Sequence, residues 1–269
     1  MRKTALSFLL ALGFLCSSAY GKFEDEYLDK LLDDPETTLE SQRATAANYK
    51  KATGKIFNPE LLSLIGALAR REYERTLPKN SQESNTSDIP ELQEGHVELE
   101  HFLRAQRFEA LYANVHRRLR EVYGDKILEN PVRVINNVGG IYAIMEIYYC
   151  GTKEYLALFG TLLEQTGYSG SYSFMNVFDI MVDKTMVSHG IHKNTTVPVS
   201  YGPDEISFLP RKERRIYWME AGAIMIDVGQ GFTLPGVVDG VLRPYRNNGD
   251  VRSLVDQLGQ CAKSLFRFR

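Results

Sequence analysis

Thr196-Val-Pro-Val-Ser200, Glu205-Ile-Ser-Phe-Leu209, Arg215-Ile-Tyr-Trp-Met-Glu220 and Ala223-Ile-Met-Ile-Asp-Val228 follow one another closely along the chain. Each run is short, carries β-branched or aromatic residues, and is closed by glycine, proline or charge. Many short β-type runs with closely spaced turn signals are the pattern of a barrel or sandwich. Working upstream, Val132–Ile135 reads as a strand and Ile141–Tyr149 as an apolar, aromatic segment. Tyr155–Phe159 is a strand-like run before Gly160, and Tyr168–Tyr172 reads as a turn.

The flanks are helical in texture. In His96–Tyr123, Phe108, Leu111, Tyr112, Val115, Leu119 and Val122 recur at i, i+3, i+4, i+7, and Gly124 suits the helix end. Pro59–Leu77 repeats the pattern with Leu61, Leu62, Leu64, Ile65 and Leu68. The acidic segment Lys22–Gln42 suits short helices. Between the two periodic segments, Pro78–Pro90 is polar and turn-rich, the composition of a disordered linker. Residues 236–266 return to helical character, with breaks at Pro244 and Asn247-Asn248-Gly249.

Composition excludes several classes. The formal net charge of −2 over 269 residues gives nucleic acid no electrostatic footing. Three cysteines, Cys16, Cys150 and Cys261, make neither a disulfide framework nor a metal cluster. A Cys150–Cys261 bridge stays open beside two free thiols. His189 and His192 lack further ligands at metal-site spacing, so no metal and no cofactor is expected. At the N-terminus, Arg2 and Lys3 precede the apolar run Ala5–Cys16 and the small residues Ser17, Ser18, Ala19 and Gly21. This is a signal peptide or a short signal-anchor, and the sequons at Asn85 and Asn194 fit a lumenal chain.

From Phe108 onward five segments stand out: Asn136-Asn137-Val138-Gly139-Gly140, Glu154-Tyr155-Leu-Ala-Leu-Phe159-Gly160-Thr161, Gly167-Tyr168-Ser169-Gly170, Tyr201-Gly202-Pro203-Asp204-Glu205, and Ile226-Asp227-Val-Gly229-Gln230-Gly231 with Pro235. Through them the chain resembles the C8–C7 sterol isomerase / sigma-1 receptor family. They occur in the family's order. The resemblance implies an α+β fold: a cupin-like β-barrel preceded by a long helix and followed by C-terminal amphipathic helices on a membrane. It implies residence in the endoplasmic reticulum, on the lumenal side, and a pocket for a sterol or an amphiphilic amine. A homo-oligomer is left open.

The resemblance also implies a chemistry. Moving a ring double bond needs a proton delivered to an alkene, a cation stabilised, and a proton removed next door. Two acids in a dry pocket suit this, and the same pocket suits a protonated amine with an apolar tail. Asp227 stands at the family's key glutamate, one methylene shorter. The family's second acid falls without a gap on Met175; Asp179 is the nearest acid, sharing a face with that position if the element is helical, and Glu146 is the other candidate. Asp227, Asp179 and Glu146 are therefore the candidate catalytic residues. Glu154 is expected to bond backbone groups and Tyr155 to line the pocket near Asp227. Phe159, Phe174, Phe178, Trp218, Met219 and Met225 are the candidate walls.

The chain accordingly divides into the leader 1–21, a helical and partly disordered extension 22–94, a helix plus barrel 95–232, and membrane-associated helices 233–269. In the last part Arg252, Lys263, Arg267 and Arg269 beside Leu254, Val255, Leu258, Leu265 and Phe266 suggest a basic helix resting on lipid, with packing on the barrel as the alternative. The leading reading is a receptor-like binding protein; the alternative is an active C8–C7 sterol isomerase.

Overall fold

A computed structural model describes residues 23–78, 93–138, 140–169, 172–190, 197–233, 235, 242 and 249–267. The leader 1–21, the sequons at Asn85 and Asn194, and nearly all of the polar stretch 78–90 lie outside the described residues.

Among the described residues four helices precede the strands: α1 Asp25–Asp33, α2 Pro35–Thr53, α3 Pro59–Thr76 and α4 Gln93–Tyr123. Their ends follow from local chemistry. Asp34 caps α2 by accepting from Thr37 N, Asn58 caps α3 by accepting from Glu60 N, and a proline occupies the first turn of each. Gly54 ends α2 at φ +71°, a conformation glycine adopts without strain.

Ten strands follow: β1 Arg133–Val138, β2 Ile141–Cys150, β3 Glu154–Gly160, β4 Gln165–Tyr168, β5 Met175–Asp183, β6 Met186–Gly190, β7 Val199–Tyr201, β8 Ile206–Leu209, β9 Arg215–Met219 and β10 Ile224–Gly231. Helix α5, Val251–Arg267, closes the chain. The mixed helical and antiparallel architecture agrees with the α+β expectation. The closed barrel does not. The strands form a six-stranded sheet, β1-β2-β3-β10-β5-β8, and a separate four-stranded sheet, β4-β9-β6-β7. The physical reason lies in the turns. At Lys184, Asp204, Lys212 and Gly222 the backbone takes positive φ, and at each of these places the chain leaves one sheet for the other instead of extending its ladder. Of the turn expected at 168–172, Tyr168 is the last residue of β4 and residues 170–171 lie outside the described residues; β5, left open as a helix, is a strand.

Alternation along the strands separates two cores. On the outer face of the large sheet, Leu156, Leu158, Ile180, Val182, Ile224, Ile226 and Val228 meet Leu61, Leu62 and Ile65 of α3 and Phe108, Leu111 and Val115 of α4. On the inner face, Met145, Ile147, Ala157, Phe159, Met181 and Met225 meet Met186, Tyr217 and Met219 of the small sheet. Within the segment 22–94, helix α3 packs on the large sheet. Helix α3 buries every residue from Leu61 to Ala69, and a Cβ on Gly66 would lie 3.1 Å from Val182.

Polar ties fix the helices to the sheet. Arg107 forks onto Asp183 at 2.6 and 2.8 Å. Arg70 meets Asp204 at 2.6 Å and Val182 O at 2.9 Å. A Cys150–Cys261 disulfide, Cα–Cα 4.9 Å, pins α5 to the end of β2, so the two free thiols left open by the sequence are joined. Among the described residues, no helix is long and apolar enough to cross a membrane.

Two glycines test this packing in opposite directions. A Cβ at Gly160 would lie 2.5 Å from the buried Phe108 ring, whereas Gly259 in α5 has open space around it. Gly160→Ala should lower stability by about 1–3 kcal/mol through overpacking. Gly259→Ala should raise it by up to about 1 kcal/mol through helix propensity. Urea unfolding midpoints of the two variants check both signs.

Candidate functional site

Asp227 and Asp179 are direct cross-strand partners on β10 and β5. Directly opposed residues share a face with Cβ atoms roughly 5 Å apart. A bulge where Ile224 opposes Asp183 and Met225 opposes Met181 sets this register. Asp179 does share a face with Met175, but for a strand's reason rather than a helix's. Residues 175, 177 and 179 alternate onto the inner side, and all three line the same cavity.

That cavity lies between the two sheets. Its walls are mostly apolar: Met145, Ile147, Ala157 and Phe159 from β2 and β3, Met175 and Val177 from β5, Met186 from β6, Met219 from β9, and Met225 from β10. Its polar groups are Asp179, Asp227, the tyrosines Tyr155, Tyr168, Tyr172 and Tyr217, Ser169, and the amides Asn136 and Gln257.

Tyr155 is placed by a missing side chain. It pairs with Gly229 across β3 and β10, and a Cβ on Gly229 would lie 2.1 Å from the Tyr155 ring. The ring therefore lies over the glycine, and its hydroxyl donates to Asp227 Oδ1 at 2.8 Å, two residues along β10. Glycine here is required for close approach, not for turning.

The cavity's low polarity acts on the acids. Burial pushes the Asp179 carboxyl up to about 7, with the Arg215 guanidinium pulling the other way. Burial, then the neighbouring Asp179 charge, raises Asp227 well above the carboxylate range, and the Tyr155 hydrogen bond only partly opposes this. Two like charges this close in a dry site do not ionise together, so the pair titrates as a unit that keeps a proton near neutrality.

The other candidates separate. Phe159, Met219 and Met225 line the cavity. Glu146 does not: it lies on the outer face of β2, held by Arg133 at 2.8 Å and by the Tyr148 hydroxyl at 3.0 Å. Strand parity decides this, because Met145 and Ile147 on either side point inward. Glu154 accepts from Ile56 N at 2.6 Å and Phe57 N at 3.3 Å, binding the α2–α3 connection to the sheet and not a ligand. Burial raises its carboxyl while these two backbone bonds oppose the rise. Phe178 sits one residue out of phase with Asp179 and packs against Phe208 at 4.8 Å on the outer side. Trp218 is out of phase with its neighbours and donates to Glu164 at 2.8 Å. Phe174 is exposed, against Phe232. Lining residues missed from the sequence include Tyr217, Met145 and Ile147, although period-two counting from either end of their strands would have found them.

Among the described residues no three histidine, cysteine or acidic side chains gather as a metal site.

Comparison with known proteins gives the following. The family described as ERG2 and Sigma1 receptor like protein matches residues 71–267. A C-8 sterol isomerase erg2 of Aspergillus fumigatus is 26% identical over 135 residues, covering 50% of this chain and 55% of that protein. A sigma non-opioid intracellular receptor 1 of Taricha granulosa is 27% identical over 150 residues, covering 55% of this chain and 63% of that protein. The matched stretches thus span little more than half of these two relatives. Among solved structures, a cupin superfamily protein from Desulfitobacterium hafniense superposes over 33% of this chain and 76% of its own, at TM-score 0.29 and 8% identity.

A raised carboxyl pKa in the folded state means that folding takes up protons. Stability therefore falls as pH rises from the unfolded aspartate value of about 3.9 through the folded value. Asp227→Asn removes both the buried charge and its repulsion of Asp179. The variant should melt higher than the parent at pH 8, and the difference should close toward pH 5. Parallel melting curves for the two proteins between pH 5 and 9 would contradict a shared buried charge.

Proposed function

Because the chain belongs to the ERG2 and Sigma1 receptor like family, we propose that it binds a sterol or a cationic amphiphile in the cavity between its sheets, with the Asp179–Asp227 pair as the polar anchor. The observation that carries this reading is two carboxyls opposed across neighbouring strands inside a mostly apolar cavity. With one proton between them the pair holds a single negative charge. A protonated amine supplies the matching charge, and its apolar tail suits the methionine and isoleucine walls. The geometry tolerates the short Asp227 side chain, since Coulomb attraction changes gently with distance.

The same pair favours a second reading, C8–C7 sterol isomerisation. One carboxyl is protonated and can deliver its proton to a ring alkene. The other is anionic, faces the resulting cation, and can remove a proton from the adjacent carbon. The double bond moves, no electrons are gained or lost, and the pair regains the proton it gave. Binding remains the leading reading, because proton transfer to carbon requires closer placement than ion pairing does.

The setting we infer is the lumenal side of the endoplasmic reticulum, reached through the leader and read from the sequons. Helix α5 supports contact with lipid. It turns Ser253, Gln257, Gln260 and Ser264 inward and leaves Val251, Val255 and Leu258 exposed. An apolar row on the outside of a helix whose inner row is polar is the arrangement an interfacial helix needs.

Binding of a long-chain tertiary amine should weaken on acidification below about pH 7, where the pair takes up its second proton. The loss should approach about tenfold per pH unit. At pH 7.5 Asp179→Asn should weaken binding more than Asp227→Asn, because burial keeps Asp227 protonated there and leaves the charge on Asp179. Equilibrium titration of purified protein across pH 5.5–8 measures this, and pH-independent affinity would remove the acid pair from recognition. Restoration of C7-unsaturated sterol in a yeast strain lacking its own isomerase would make catalysis the leading reading.

A further inference from the structure

The cavity has a second polar end that the acid pair does not use. Gln257 of α5 and Asn136 of β1 both line it. Gln257 is 0% exposed and Asn136 2% exposed. Neither Oε1 nor Nε2 of Gln257 has a hydrogen-bond partner, and Asn136 Oδ1 has none either. The Asn136 amide nitrogen faces only the Met145 sulfur, at 3.3 Å, a weak acceptor. Because both ends of Gln257 are unpartnered, the choice of which end is nitrogen does not alter the count. Buried amides are normally paired, so two here, both lining one cavity, call for a reason.

These groups are remote from the acids. Asp227 pairs with Ala157 on β3, and Ala157 pairs with Ile147 on β2. Two strand spacings of roughly 4.8 Å each separate that row from β2, and α5 packs on β2 and on β1 beyond it. Met145, Ile147 and Ala157 line the space between. Gln257 is held there by the disulfide one helical turn away, since Cys261 is bonded to Cys150.

We propose that Gln257 and Asn136 form a neutral polar subsite that binds a hydroxyl group at the end of the ligand remote from the acid pair. A hydroxyl donates one hydrogen bond and accepts others. It can donate to Asn136 Oδ1 or Gln257 Oε1 and accept from Gln257 Nε2. A carboxamide pair carries no charge and so discriminates poorly for a second cation or anion, but it discriminates strongly against a ligand that leaves it unpaired in an apolar cavity. The ligand class is therefore a rigid apolar body with an alcohol at one end: for a sterol, its 3-hydroxyl. This rests on the cavity reading above and adds to it the orientation of the ligand.

The test compares two ligands on the same protein. Purified full-length chain is titrated with an 8-unsaturated 3-hydroxysterol and with its 3-deoxy counterpart, by displacement of a fluorescent long-chain amine. The parent should prefer the hydroxysterol by roughly ten- to a hundredfold. In Gln257→Leu that ratio should fall toward one, and in Asn136→Leu it should fall in the same direction. The ratio is internal to each folded variant, so a general loss of affinity does not imitate the result. A parent that binds both sterols equally, as a water-filled end would, overturns the subsite while leaving the amine site standing. So does an unchanged ratio in both variants. If the parent binds neither the amine nor either sterol, the cavity reading fails and the subsite falls with it.

Discussion

The Asp227–Asp179 register is the constraint on which the rest of the site depends. It puts two carboxyls side by side on one face of two antiparallel strands, where neither can be fully charged without the other resisting. Everything around them serves that placement. The bulge near Ile224 sets the pairing, Gly229 gives Tyr155 room to reach Asp227, and alternation fills the remaining inward positions with Met175, Val177 and Met225. A slip of β10 by one residue would bring Ile226 or Val228 opposite Asp179 and turn Asp227 into the helix layer.

The helix layer resists that slip from the other side. Ile226 and Val228 are committed to a core shared with α3 and α4, so β10 cannot rotate its faces without emptying it. Arg107 and Arg70 add fixed polar points at Asp183 and Asp204, close to the ends of β5 and β8. Glu154 joins the α2–α3 connection to β3, next to Tyr155 itself. These charges are paired and partly buried, and removal of one partner would leave the other unsatisfied. Helices α3 and α4 thus form the outer wall of the large sheet. The site is a pair of buried, mutually repelling acids held by a well-packed outside.

Much of this was legible in the chain. The strand runs at 155–159, 205–209, 215–220 and 223–228 stand where β3, β8, β9 and β10 do, because short apolar runs between turn residues have few other uses. The helical stripe through Phe108, Leu111 and Val115 faces the core as its spacing requires. Side-chain parity was less legible. Phe178, Trp218 and Glu146 each sit one residue from a true cavity position, and a one-residue shift in a strand reverses the face. Aromatic size was the signal used for Trp218 and Phe178, yet phase is what decides a wall.

By itself, the sequence determined the family, the alternation of helical and β segments, and the identity of the residues able to ionise in an apolar setting. These follow from local chemistry: periodicity, turn residues and motif order act over a few positions at a time. Only the tertiary structure decided that Asp179 faces Asp227, that Glu146 is tied to Arg133 on the far side, that the strands form two sheets rather than one barrel, and that Cys150 meets Cys261. Those outcomes depend on register and on contacts between residues far apart in the chain. Strand pairing is set by the packing of whole faces, and no short stretch of sequence contains both partners of a pair.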